Sequence, residues 1–82
     1  MTIYVKVKVN SYKLTWPSRN YIDKHKKYNL KCKIRKEDLG IIFDKYELKL
    51  TGKKKNIELY LGYLQGKKFK FVQIPSKFQV TF

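Results

Sequence analysis

The chain has little of what built-in chemistry requires. Its 82 residues include one histidine, one cysteine, one tryptophan, two prolines, four glycines, no alanine and only six acidic side chains. Cys32, being alone, can form neither an intrachain disulfide nor a cysteine-based metal site. It leaves a reducing, intracellular and hence cytoplasmic setting as the expectation. His25 stands in Lys24-His25-Lys26-Lys27 and reads as a surface or helix-packing residue. Only Glu37 and Asp38 adjoin among the acids, in a stretch with turn character, so no carboxylate pair is set up for acid–base work. Glycine-rich phosphate loops and nucleophile elbows are missing. These absences point away from an enzyme and from any cofactor or metal. A small basic ribonuclease, using His25 or lysines with tyrosines, is the one catalytic class left.

Long apolar runs are also missing. The longest uncharged one, Leu39-Gly40-Ile41-Ile42-Phe43, falls far short of the roughly 20 residues that span a bilayer. Lys6 and Lys8 interrupt the N-terminal apolar residues, so no secretory signal is expected. No basic amphipathic helix of useful length speaks for a lipid surface. Arginine is scarce too, at two against 18 lysines. Together with the missing alanine and the abundant Ile, Tyr and Phe, this looks like an AT-rich coding sequence. Such bias explains lysine over arginine. It does not explain the charge, because acidic codons tolerate the same drift.

What the chain does have is positive charge and packing material. Twenty Lys and Arg stand against six Asp and Glu, a formal net charge of +14. At 43% hydrophobic and 16% aromatic, the composition is too rich for a disordered basic tail. One small β-domain over residues 1–82 is expected from the length. Fourteen unbalanced charges oppose compactness, and a polyanionic partner would relieve them.

Period-two alternation dominates the pattern. Ile3, Val5, Val7 and Val9 alternate with Tyr4, Lys6 and Lys8, and Tyr12, Leu14 and Trp16 alternate with Lys13 and Thr15. A two-residue turn at Asn10-Ser11 would put all the apolar members on one face, with Lys8 opposite Lys13. Pro17 stops this run, and Ser18 could cap a short helix or basic loop over residues 19–27. Leu30, Cys32 and Ile34 give a third strand with Lys31, Lys33 and Arg35 outward. Glu37 to Gly40 reads as a turn, with Gly40 free to take positive φ. Tyr46 to Leu50 and Ile57 to Leu61 read as a hairpin tipped by Lys53-Lys54-Lys55, with Lys49 opposite Glu58. A further turn at Gln65-Gly66 sets Tyr63 against Lys68 and Leu61 against Lys70. Phe78, Val80 and Phe82 read as a last strand. The expected fold is all-β with at most one short helix: six or seven short strands in a small curled antiparallel sheet or barrel. Trp16, Phe69 and Phe71 are assigned to its core.

The outward rows suggest the function. Lysines on one strand face recur every 6.6–6.8 Å or so, about two nucleotide steps along one strand of a duplex. Lys6, Lys8, Lys13, Lys31, Lys33, Lys67, Lys68 and Lys70 are the phosphate-contact candidates, and Tyr4 and Tyr63 the base-stacking ones. With Arg19 and Arg35 the only arginines, bidentate base reading should be slight. The expectation is DNA or RNA held by its backbone with little sequence preference. The alternative is a small modulator or inhibitor docking on an acidic protein surface, steered by the same charge. Homodimerisation through an unpaired edge at the first or last strand would extend the basic surface.

Overall fold

The computed structural model describes residues 1–78. β1 (Thr2–Asn10) runs into a 3-10 turn at Ser11–Lys13, followed by α1 (Ser18–Ile22) and a 3-10 stretch at Asp23–Tyr28. Next come β2 (Lys31–Leu39), β3 (Phe43–Thr51), α2 (Lys54–Gly66), β4 (Lys70–Gln73) and a last 3-10 turn at Ser76–Phe78. The order is β-α-β-β-α-β, and the open antiparallel sheet is arranged β2-β3-β1-β4. This is the split β-α-β, or ferredoxin-like, topology, a scaffold that by itself implies no function. The protein is therefore mostly sheet with two short helices, where the sequence suggested six or seven strands. Four strands form among the described residues, and the sheet stays open rather than closing as a barrel. Of the last strand read at Phe78, Val80 and Phe82, Phe78 instead closes the 3-10 turn Ser76–Phe78 and is buried, while Val80 and Phe82 lie outside the described residues.

The core lies between one face of this sheet and the helices. Ile3, Val5, Val7 and Val9 of β1, with Tyr46, Leu48 and Leu50 of β3, form the sheet side. Ile57, Tyr60, Leu61 and Leu64 of α2, with Tyr21 and Ile22 of α1, form the helical side. Two layers each hide their apolar stripe against the other. The Tyr60 hydroxyl donates to the Ile22 carbonyl at 2.6 Å, which fastens the two helices together inside the core. Ser18 does not cap α1; the N-cap position is Pro17, which makes no side-chain cap bond. Instead Ser18 Oγ, buried, donates to Asp44 Oδ2 at 2.6 Å and accepts from the Tyr46 hydroxyl. Burial also pushes the Tyr46 phenol above its ordinary pKa. The first residue of α1 is thereby pinned to β3.

Several local expectations are corrected. Asn10 Oδ1 accepts from the Tyr12 amide at 2.9 Å, a side-chain turn that winds residues 11–13 into a 3-10 turn instead of returning a hairpin strand. Tyr12 and Trp16 consequently stay exposed, Trp16 at 48%, while Phe69 is buried as assigned. β1 is not an edge: it pairs with β3 on one side and β4 on the other. Residues 57–61 are helical, so Glu58 pairs with Lys54 at 4.0 Å along α2, and Lys49 lies opposite Tyr4 and Lys33. Gly40 has no positive φ. Its need is space, since a Cβ there would lie 2.5 Å from the Phe43 carbonyl oxygen, which Gly40 N–H bonds at 2.9 Å. The chain turns after α2 at Lys68 (φ 72°), not at Gly66. Lys68 N–H bonds the Gln65 carbonyl and Phe69 N–H the Leu64 carbonyl, a Schellman ending with lysine where glycine is usual.

Candidate nucleic-acid interface

With both helices on one side, nothing among the described residues covers the opposite face of the sheet. The period-two rule sends alternate residues of every strand to it, and the strand register lines them up in rows. Lys70, Lys8, Lys45 and Asp38 form one row across β4, β1, β3 and β2. Lys6, Glu47 and Lys36 form the next, flanked by Gln73. Tyr4, Lys49 and Lys33 follow, and then Thr2, Thr51 and Lys31. Arg35 adds a further cation, because β2 shifts register between Ile34 and Lys36. A bulge of this kind inserts one unpaired residue and re-aims its neighbours. Simple alternation would have turned Lys36 toward the core; the bulge keeps both Arg35 and Lys36 on the open side. The face thus carries nine cations, Lys6, Lys8, Lys31, Lys33, Arg35, Lys36, Lys45, Lys49 and Lys70, against Glu47 and Asp38. Half the net charge of +14 gathers there, and the other half lies elsewhere on the chain.

These charges are poorly compensated. Lys6 Nζ lies 3.2 Å from Glu47 Oε1, the one close ion pair on this face among the described residues. Lys8 sits directly across from Lys45 on one side and Lys70 on the other, and Lys33 directly across from Lys49. Like charges at such positions destabilise a sheet by a few tenths to about 1 kcal/mol each. The expected Lys8–Lys13 pair is absent, yet the same frustration recurs with different partners.

Two aromatic rings share the face. Tyr4, on the central strand β1, is 51% exposed, and the Arg35 guanidinium lies 4.9 Å from its ring centroid. Phe43, at the start of β3, is 40% exposed with Lys8 Nζ 5.2 Å from its ring. Shallow grooves flank the Lys6–Glu47 pair. One of about 240 Å³ includes Lys36, Lys45 and Val72 in its wall, and another of about 270 Å³ includes Tyr4, Arg35 and Gln73.

The structure brings together Tyr4, Lys6, Lys8, Lys31, Lys33 and Lys70 of the residues singled out from sequence. It does not bring the others to this face. Lys13 lies in the 3-10 turn after β1, and Lys67 and Lys68 follow the end of α2. Tyr63 is on α2, its ring 5.8 Å from Tyr28 and 6.5 Å from Tyr60, and partial burial raises its pKa. Sequence reading passed over Lys36, Lys45, Lys49 and Phe43. Lys45 and Lys49 alternate with Tyr46 and Leu48 and were legible in principle; Lys36 needed the bulge. His25 is on the helical side, where its Nδ1 donates to the Leu30 carbonyl at 2.8 Å. Among the described residues no cluster of His, Cys, Asp and Glu could hold a metal ion, and no helix is long and apolar enough to cross a membrane. Compared with family models, curated proteins and solved structures, the chain matches none.

Proposed function

We propose that this chain binds nucleic acid through the open face of its sheet, gripping the phosphate backbone with little sequence preference. The observation that carries this reading is the like-charge register: Lys8 against Lys45 and Lys70, and Lys33 against Lys49. A face kept only for solubility gains nothing from cations directly opposed across strands, whereas an anion seated between them turns repulsion into binding. Lysine's flexible point charge suits phosphates and reads bases poorly. We place this activity in the cytoplasm, as binding without catalysis. Fluorescence anisotropy with labelled DNA and RNA tests it. If about six phosphates are neutralised, affinity falls roughly a thousandfold between 50 and 200 mM salt. A flat salt response, or no binding at 50 mM, refutes it.

A second reading rests on a separate observation. Leu39, at the end of β2, and Ile41 and Ile42, in the turn to β3, are exposed, Ile41 at 83%. Such an apolar tip beside a basic face suits a protein partner with an acidic rim around an apolar pocket. Pull-down with nuclease treatment separates the two, since a protein partner survives digestion. The partner should then be lost on Ile41→Ser, while nucleic-acid affinity should not change. Among the described strands β2 and β4 are the edges along which a second copy could extend the basic face, and the β2 cations oppose such pairing.

A further inference from the structure

We infer that the open face takes single-stranded nucleic acid in preference to a duplex, with bases stacked on Tyr4 and Phe43. This rests on the nucleic-acid reading above and narrows it. Four strands at about 4.8 Å spacing make a platform roughly 14 Å across between the outer backbones, before side chains are added. The major groove of a duplex is about 12 Å wide and admits a helix or a two-stranded ribbon. This sheet cannot enter it. A duplex laid on the face offers phosphate ridges to the lysines, while its paired bases stay stacked on one another, out of reach of a ring on the sheet surface.

Tyr4 stands on this face beside the lysine rows. It lies on β1 beyond the Lys6–Lys8 stretch that pairs with β4, with Lys49 of β3 opposite it and Lys33 of β2 one strand further. Half its surface is open, and the Arg35 guanidinium already rests against the ring. A planar cation stacked on an aromatic ring is a platform that a base can extend or enter. Phe43 carries the Lys8 ammonium over its ring instead, a point charge that leaves room for a base. Tyr4 pairs with Lys49, so Phe43 is six residues further along β3, or about 20 Å at strand rise. Six nucleotides at duplex rise cover about the same distance, and fewer do so when the strand is extended. The lysine rows between the rings follow the backbone joining the stacked bases. Neither ring is needed to hold a duplex by its phosphates, and both become useful once bases are unpaired.

The test compares a labelled oligothymidylate of about 12 nucleotides, within the usual site size of such surfaces, with the same strand annealed to its complement. Both are titrated by anisotropy at one salt concentration. The single strand should bind at least about tenfold tighter, and Tyr4→Ala should weaken it about 5- to 150-fold, the range for loss of one stacked base. Tyr4→Phe should retain most of the affinity, and Tyr4→Ala should leave duplex binding unchanged. Circular dichroism of Tyr4→Ala should match wild type, because the side chain is outside the core. Equal affinity for both forms, or the same loss on both for Tyr4→Ala, overturns the preference while leaving backbone binding intact. If neither form binds at 50 mM salt, the underlying reading fails and takes this inference with it.

Discussion

Charge reversal at Lys8 and at Lys6 should move stability in opposite directions while weakening binding alike. Lys8 is half-buried and faces Lys45 and Lys70 across both neighbouring strands. Lys8→Glu turns two repulsive pairs into two attractive ones. At about 0.5 kcal/mol per pair and sign, the change is about 2 kcal/mol in favour of the fold. Loss of the contact with the Phe43 ring takes back about 0.5–1 kcal/mol, leaving a net gain of about 1 kcal/mol. Lys6, by contrast, holds Glu47 at 3.2 Å. Lys6→Glu removes that pair and sets two carboxylates opposite each other, lowering stability by about 1 kcal/mol. For a domain of this size each kcal/mol shifts Tm by about 4–8 °C. Thermal melts at low salt should therefore show Lys8→Glu above wild type and Lys6→Glu below it, and the gap should shrink as salt screens both. Each variant also loses one phosphate contact, so its salt slope should fall by about 0.7–0.9 in log–log units. Two variants that both melt below wild type by the same amount would refute the frustration argument. Unchanged affinity in both would remove the sheet face as the binding surface.

Three further outcomes concern residues away from the open face. Lys68→Gly should raise stability by about 0.5–1 kcal/mol in denaturant titration, because Lys68 holds φ 72° where a Cβ is strained; the salt slope of binding should not change. Ser18→Ala should cost about 2 kcal/mol, since it removes a buried donor from Asp44 and an acceptor from Tyr46 without supplying a replacement. Burial pushes the Cys32 thiol from its ordinary 9.0 up to about 11. The unfolded thiol therefore ionises first, so the stability tied to this group is complete below about pH 9 and is lost as pH rises toward 11. Wild type should lose more stability than Cys32→Ala across that window, and thiol labelling of the folded protein at pH 8 should be slow.

The two faces of β1, β2 and β3 were legible because period two is a local property. Ile3 to Val9, Cys32 to Ile34 and Tyr46 to Leu50 each state their own inside and outside. α2 was not legible, and the reason is specific. Ile57, Leu59 and Leu61 satisfy a strand, while Ile57, Tyr60, Leu61 and Leu64 satisfy a helix, and a window this short supports both. Local signals lean against the helix. Lys53, Lys54 and Lys55 crowd its positive end without a side-chain cap, and Gly62 and Gly66 weaken it. Packing decides, since Ile57, Tyr60, Leu61 and Leu64 are fully buried and Leu59 is left 53% exposed. The hairpin expected from Val9 to Tyr12 fails for a similar reason. Its register was self-consistent, but β1 gains a longer apolar match with β3 and a second partner in β4.

The sequence alone determined how much charge there is, and that strand lysines point away from an apolar face, because both depend on residue identity and the alternation of the backbone. Only the tertiary structure decided that β2, β3, β1 and β4 lie side by side with both helices behind them. Strand neighbours are chosen by burial of the whole core, a sum over distant residues that no local window contains. That choice placed Lys8 between Lys45 and Lys70, turned Arg35 onto Tyr4, and gathered separate basic rows into one open surface.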